Sequence, residues 1–385
     1  MSSLVARAQL VAAVASQYSD QVDKEGRFPE EAVRAMKEAR LLSAYIPREF
    51  GGEGATLGDI AEIVSILSQS CASTGMTFAM HQIKVSSLIN HGASAKWHRS
   101  FMERICNDQL LVASATTEGG IGGNLRNSAC AIERDGDRFR LVKDGTCISY
   151  GSAADVILIT ARSAPDAPAS DQVMAVVTRD QYKLELTQQW DALGMRGTCS
   201  DNFKFSAEGD VQQILPSDFG EIAAKSMLAI CHILWSAVWY GIANSALARA
   251  QSFVRTEARR NPNQTPPGAL HVAEAASLLQ LMRSNTLAAI SRFELAARVP
   301  DDLGSVGFII EMNNVKIAAS RMAVDIINQA LLITGINGYR NNSPYSVGRH
   351  LRDALSAPIM ISNDRIFGNV SQLLLMHRLD PQLVA

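Results

Sequence analysis

Between residues 111 and 155 the chain gathers the residue types and spacings best suited to chemistry. A strand-like LVASATT rich in hydroxyls is followed by a glycine-rich turn, EGGIGGN, a hairpin AIERDGDRFRL and a stretch TCISYGSAAD. Gly122 and Gly123 present amides that no side chain blocks, which suits the close approach of a phosphate group. In Rossmann and P-loop cradles such glycines open a helix; here they lead into another strand, so neither reading holds. Cys71, Cys106, Cys130, Cys147, Cys199 and Cys231 are scattered without a CxxC pair, and His81, His91, His98, His232, His271, His350 and His377 form no HExxH arrangement. No metal site is expected from these spacings. The cysteines read as reduced structural thiols, and no GxSxG nucleophile elbow is present.

The elements around this stretch change character twice. Residues 1–110 read as helices: FPEEAVRAMKEARLL puts Val33, Met36 and Leu41 near one face behind Pro29, and LGDIAEIVSILSQ does the same with Ile60, Ile63, Val64 and Leu67. Between them YIPREFGGEG is a loop, stopped by Pro47 and paired glycines. From 111 to 217 the runs are short and β-branched (CAIER, RFRLV, VILITAR, VMAVVTR, YKLEL, NFKFS), with Asp135-Gly136 as a hairpin signal. This predicts a middle antiparallel β-domain, a small barrel or sandwich. From 218 to 385 helices return near 221–260, 270–298, 303–334 and 350–377, predicting a four-helix bundle with apolar surface left for another subunit.

A length of 385 residues allows two or three modules. With 47% hydrophobic and 19% charged residues and a net charge of −2, the composition is that of a globular protein. No run of basic residues exceeds two, so nucleic acid is not an expected partner. MLAICHILWSAVWYGIA is interrupted by His232 and Ser236 and reads as a buried helix, so no membrane contact is expected. The start MSSLVARAQLVAAVASQYSD lacks the pattern of a secretory signal, and a cytoplasmic location is the expectation.

The helical, β, helical order resembles the acyl-CoA dehydrogenase superfamily, an α+β fold, over nearly the whole chain. Thr117, Glu118, Gly122 and Gly123 fall on that family's Thr-Glu-Pro-Gly-type turn, and Ile148 and Ser149 on its Trp-Ile-Thr-type strand. IPREFGGEG, LGMRGT, TGINGY and HLRDAL resemble four further motifs in the right order. The resemblance implies FAD, or FMN, held by Ser114, Thr116, Thr117, Gly122, Gly123, Ile148 and Ser149. It implies that Arg255 (or Arg259) and Gly335 hold the far end of the flavin of a neighbouring subunit in a homodimer or homotetramer. The chain departs from the pattern at Gly119 for Pro, Gly123-Asn124 for Ser-Asp, Cys147 for Trp, Thr334 for Phe and Ile336 for Gly.

An acyl-CoA dehydrogenase needs a carboxylate to remove the α-proton of a thioester. At the usual position RDALSAPIMISND places Ile361, Ser362 and Asn363, and at the alternative position on the first bundle helix lie Cys231 and His232. No carboxylate stands between Glu221 and Glu257. Asp364, three residues late, His232, and His81 in the helical region that the resemblance places near the substrate are the remaining candidates. Three functions stay open at this point. One is a dehydrogenase of a CoA or carrier-protein thioester with a displaced base, passing electrons to an electron-transfer flavoprotein. Another is a monooxygenase that takes reduced flavin from a separate reductase and hydroxylates an amine, sulfur or ring. The third is a non-catalytic relative.

Overall fold

A computed structural model describes residues 3–120, 125–299 and 301–379. The order of elements is α1 (Ser3–Glu25), α2 (Glu30–Glu38), α3 (Leu57–Ser70), α4 (Ala72–Gly92), α5 (Lys96–Asp108), β1 (Val112–Ala115), β2 (Glu133–Asp135), β3 (Arg138–Ile148), β4 (Val156–Arg162), β5 (Gln172–Thr178), β6 (Tyr182–Gln188) and β7 (Asp201–Asp210). Helices then follow: α6 (Phe219–Ile222), a π-helical turn (Ala223–Met227), α7 (Leu228–Arg260), α8 (Gly268–Ala296), α9 (Val306–Thr334), α10 (Ile336–Tyr339), α11 (Gly348–Ala354) and α12 (Asn363–Leu374). By compactness the chain forms two units: Met1–Ala192 with Arg196–Cys231, and Leu193–Met195 with His232–Ala385. The division falls inside α7, whereas a reading by element type places a boundary near 217.

In the first unit α3 starts with a capping box: Thr56 Oγ1 accepts from the Asp59 amide at 3.1 Å, and the Asp59 carboxylate accepts from the Thr56 amide at 3.0 Å. The IPREFGGEG loop carries a 3₁₀ turn, Arg48–Phe50. A Cβ on Gly52 would sit 2.0 Å from the Ile46 carbonyl, so glycine is required there. Helix α4 is buried on every face, which is why it reads as mixed polar and apolar with little periodicity.

The strands form a three-stranded sheet, β1-β4-β5, and a four-stranded antiparallel sheet, β2-β3-β7-β6. The predicted antiparallel domain needs one correction: β1 pairs with β4 in parallel, Val112 opposite Val156. The whole β2–β3 hairpin intervenes, long enough to bring the chain back in the same direction. Strand β4 is covered on both faces, as its unbroken VILITA run suits. The Asp135-Gly136 signal does mark the tight β2–β3 turn, with Gly136 at φ +59° and Asp135 opposite Arg138.

The second unit is helical. Residues 350–377, expected as one helix, form α11 and α12 separated by turns at 355–362. Pro358 cannot donate an amide to a helix, and Ile361 adopts φ +51°, a left-handed conformation costly for a β-branched residue. The helices Phe219–Arg260 and Val306–Thr334 are long and apolar enough to cross a bilayer by length and composition. Within the protein 89% of the most apolar window of the first is buried, as expected of a core helix, and 50% of the second.

Candidate functional site

Ser114 and Thr116 lie two residues apart at the end of β1, so they share one face, with their hydroxyls 3.5 Å apart; Ala113 and Ala115 fill the buried face. Thr117 Oγ1 donates to the Thr146 carbonyl, which staples the turn to the end of β3. Its lone pairs remain available as acceptors.

Glu118 is buried and structural. Its carboxylate accepts from the Cys130 amide at 2.6 Å, the Ala129 amide at 3.1 Å and Ser128 Oγ at 2.9 Å. Lys143 Nζ stands 3.5 Å away and donates to the Thr160 carbonyl at 2.7 Å. Burial lowers the Lys143 pKa, and the Glu118 charge offsets part of that fall.

Gly119, where the family has Pro, has a physical reason. Its amide donates to the Asp144 carbonyl at 3.0 Å, which proline could not do, and a Cβ there would stand 2.4 Å from Asp144 Oδ2. Gly120 follows at φ +81° with open space around its Cβ position. Gly122 and Gly123 lie outside the described residues.

The end of β3 meets this turn from the other side. A register shift between Gly145 and Ile148 puts Cys147 at φ +51°, its amide donating to Asn202 Oδ1 at 2.8 Å. Its side chain is exposed, and Ile148 is fully buried. Ser149 Oγ is 2.8 Å from Ser200 Oγ, which is 2.8 Å from Thr198 Oγ1, so three buried hydroxyls form a chain. Tyr150, at φ +43°, donates from its hydroxyl to the Val112 carbonyl at 3.0 Å, a second tie between β1 and the end of β3. Cys199 is also left-handed, at φ +43°. Three non-glycine residues held in this costly region within one cluster mark a site whose backbone is over-determined by its surroundings.

The structure therefore brings Ser114, Thr116, Thr117, Ile148 and Ser149 together on the β-sheets of the first unit. Arg255, exposed on α7, and Gly335 belong to the second unit. Gly335 caps α9 at φ +55°, ψ −135°, a conformation reserved for glycine. Sequence reasoning missed Tyr150, Thr198, Ser200 and Asn202. The TCS that follows LGMRG was the available signal for two of them.

The acid-base candidates have less freedom. His81 Nε2 is 2.7 Å from the Leu42 carbonyl, and the Val112 amide donates to Nδ1 at 3.0 Å. Both nitrogens are thus held by backbone, and burial pushes the ring down to about 4, so it is neutral with its proton on Nε2. His232 Nδ1 is bound to the Met312 carbonyl at 3.0 Å, and burial likewise pushes that ring down to about 4. Asp364 is exposed in the first turn of α12, where a carboxylate suits the helix dipole. No group of three or more His, Cys, Asp or Glu side chains suited to a metal occurs among the described residues.

The acyl-CoA dehydrogenase N-terminal domain family matches residues 5–109, and the acyl-CoA dehydrogenase C-terminal domain family matches residues 220–362. Between them these matches span more than half of the chain, and the protein belongs to the acyl-CoA dehydrogenase family. The cyclohex-1-ene-1-carbonyl-CoA dehydrogenase of Syntrophus aciditrophicus is 26% identical over 352 residues, 90% of this chain and 82% of that one. Among solved structures, FMN-bound TdsC from Paenibacillus sp. A11-2, a dibenzothiophene monooxygenase, superposes with a TM-score of 0.84 at 18% identity, covering 99% of this chain and 100% of that one. Methanesulfinate monooxygenase MsuC from Pseudomonas fluorescens gives 0.83 at 16% identity, covering 99% of each. These two structures establish the shared fold.

Proposed function

We propose that the chain is a flavin-dependent oxidoreductase that acts on an acyl thioester, of CoA or a carrier protein, without the family's usual carboxylate. The observation that carries the flavin assignment is the pair of ties, Thr117 to Thr146 and Tyr150 to Val112, that press a hydroxyl-rich turn against the Ser149 hydroxyl chain. This donor set fits a flavin. Thr117 has spent its proton and offers lone pairs to a ring N–H, Ser149 can rotate its proton toward a ring acceptor, and Gly120 leaves backbone uncovered. FAD is the flavin we assign; the same hydroxyls would also hold the ring of FMN.

When bound, the flavin supplies a two-electron acceptor. The chain's own part is to orient the ring through Ser114, Thr116, Thr117 and Ser149, with the fully buried Ile148 anchoring the end of β3 that carries Ser149, and to move the substrate's α-proton. We assign Arg255 and Gly335 to the far end of a flavin held by a neighbouring copy. Leu270, Leu281, Leu287 and Leu295 leave an exposed apolar stripe along α8, which supports a homodimer or homotetramer. The electron partner on this reading is an electron-transfer flavoprotein.

Ile361 at the carboxylate position favours a second reading, a monooxygenase supplied by a flavin reductase. Anaerobic mixing of the FAD-loaded protein with butyryl-CoA or octanoyl-CoA separates the two. Bleaching of the flavin absorbance supports the thioester reading. No bleaching, together with oxygen-dependent hydroxylation of a sulfur or ring compound when a reductase is added, supports the second.

A further inference from the structure

Helix α8 presents two faces. Ala275, Met282, Thr286, Ala289, Phe293 and Ala296 are buried and hold it in its unit. On its other side positions 270, 274, 277, 281, 284, 288, 291 and 295 are all exposed, and the steps between them alternate between four and three residues. That spacing is the seam by which one helix packs along another. It is occupied by three leucines, three serines, one alanine and one glutamate, and Leu270, Leu281 and Leu295 are each more than half exposed. The outward stripe of α9, positions 311, 314, 318, 321, 325, 328 and 332, has the same spacing but carries Glu311, Arg321 and Asp325. Helix α9 thus turns a charged face to water, whereas α8 turns one with the charge depletion found at interface cores.

The seam is also symmetric about a point between Met282 and Arg283. A second copy laid antiparallel about that point sets Leu270 against Leu295, Glu274 against Ser291, Ser277 against Ala288 and Leu281 against Ser284. The end leucines meet each other, the central leucine meets a small residue that leaves room for it, and the single carboxylate meets a hydroxyl that can donate to it. Every pair occurs twice, as a two-fold axis requires of a surface that binds its own copy. Parallel pairing in register would instead set Glu274 against Glu274, two like charges. With the positions that flank the seam, about sixteen residues of each copy would be covered. At roughly 30 Å² a residue that is about 1,000 Å² in all, the size at which a specific interface begins.

We propose that α8 pairs with α8 of a second copy of this chain, antiparallel, about a two-fold axis that passes between Met282 and Arg283. The pairing rests on the self-association assigned above and gives it a surface, a direction and a register.

Two measurements on the full chain test it. Sedimentation equilibrium compares the wild type with Leu281→Glu, a change at an exposed position that leaves the buried face of α8 intact and places a carboxylate on each side of the axis. The variant's mass at micromolar concentration is expected to be half that of the wild type. Pulsed electron resonance then reads the distance between nitroxide labels on the two copies, carried on p-acetylphenylalanine in place of Arg283 or of Ala297. Both positions are exposed and lie beside the seam, not on it. In the antiparallel register two sites at 283 are about 1.5 Å apart along the axis and two at 297 about 44 Å apart. With the helix axes about 8–10 Å apart and the label arms added, the shortest distances should be roughly 20 Å and roughly 50 Å. An unchanged mass in Leu281→Glu, or equal distances at the two positions, overturns the pairing and leaves self-association standing. A monomeric wild type overturns both.

Discussion

Replacing Lys84 with Met should make the protein more stable at neutral pH, and by an amount that depends on pH. An ordinary lysine titrates near 10.5, and burial takes Lys84 to about 8. At about 1.36 kcal/mol for each pH unit of that gap, holding the ammonium inside costs the folded state about 3 kcal/mol. Below pH 8 the side chain is charged in both folded and unfolded chains, so the full cost is present. Between 8 and 10.5 the unfolded chain binds more protons than the folded one, and wild-type stability rises relative to the variant. Above 10.5 both states are neutral and the difference from this source is gone. Methionine is of similar volume and has no charge to bury. Equilibrium urea denaturation of both proteins at pH 7, 8, 9, 10 and 11 measures the difference directly, because the other titrating groups cancel. The advantage of Lys84→Met should shrink by about 3 kcal/mol across the series. Parallel stability curves would show that the Lys84 ammonium is solvated or paired, and the reasoning about its environment would be refuted.

Burial also lowers Lys316 to about 8, but its Nζ has three oxygen partners, so Lys316→Met should gain less stability than Lys84→Met, because it strands the Ala357 and Ile361 carbonyls and Asn363 Oδ1; an equal or larger gain in thermal midpoint would contradict this. Removing single hydroxyls by Thr117→Val or Ser149→Ala should weaken FAD binding by roughly 3- to 10-fold, the equivalent of one hydrogen bond of about 1 kcal/mol; unchanged affinity in both would move the flavin elsewhere. His81→Leu should destabilise by about 2 kcal/mol through the unpaired Val112 amide and Leu42 carbonyl, read by urea denaturation, and an unchanged midpoint would contradict the structural role of this ring. Light scattering should give a dimer or tetramer at micromolar concentration, and a monomer would remove the role proposed for Arg255 and Gly335.

What the sequence discloses here follows the range of the interactions involved. The β2–β3 hairpin is legible because Asp135-Gly136 and its flanking alternation are local, and the start of α3 is legible because its capping box spans four residues. Thr117 and Ser149 could be named because the short TEGGIGG and CIS segments resemble two motifs of the family. Their partners could not, since Thr146, Ser200 and Thr198 are brought in by strand register. The parallel pairing of β1 with β4 depends on a connection of about 40 residues that no single-segment pattern encodes. The break between α11 and α12 had a signal in Pro358, hidden by apolar residues on both sides, and the left-handed Ile361 had none. Lys84 was invisible for a different reason. A lysine in TFAMHQIKVSS reads as a solvated helix position, and only the packing of α4 on all sides shows that this amine is inside.

Titration of the purified protein with FAD, read by flavin fluorescence and by thermal midpoint, asks whether the chain holds a flavin at all. A flavin-dependent oxidoreductase of this fold should bind about one FAD per chain, with a saturable fluorescence change. At 100 times the dissociation constant the folded state should gain about 2.7 kcal/mol and melt correspondingly higher. If saturating FAD leaves both the fluorescence and the midpoint unchanged, the β-sheet hydroxyl cluster holds no flavin and the account fails.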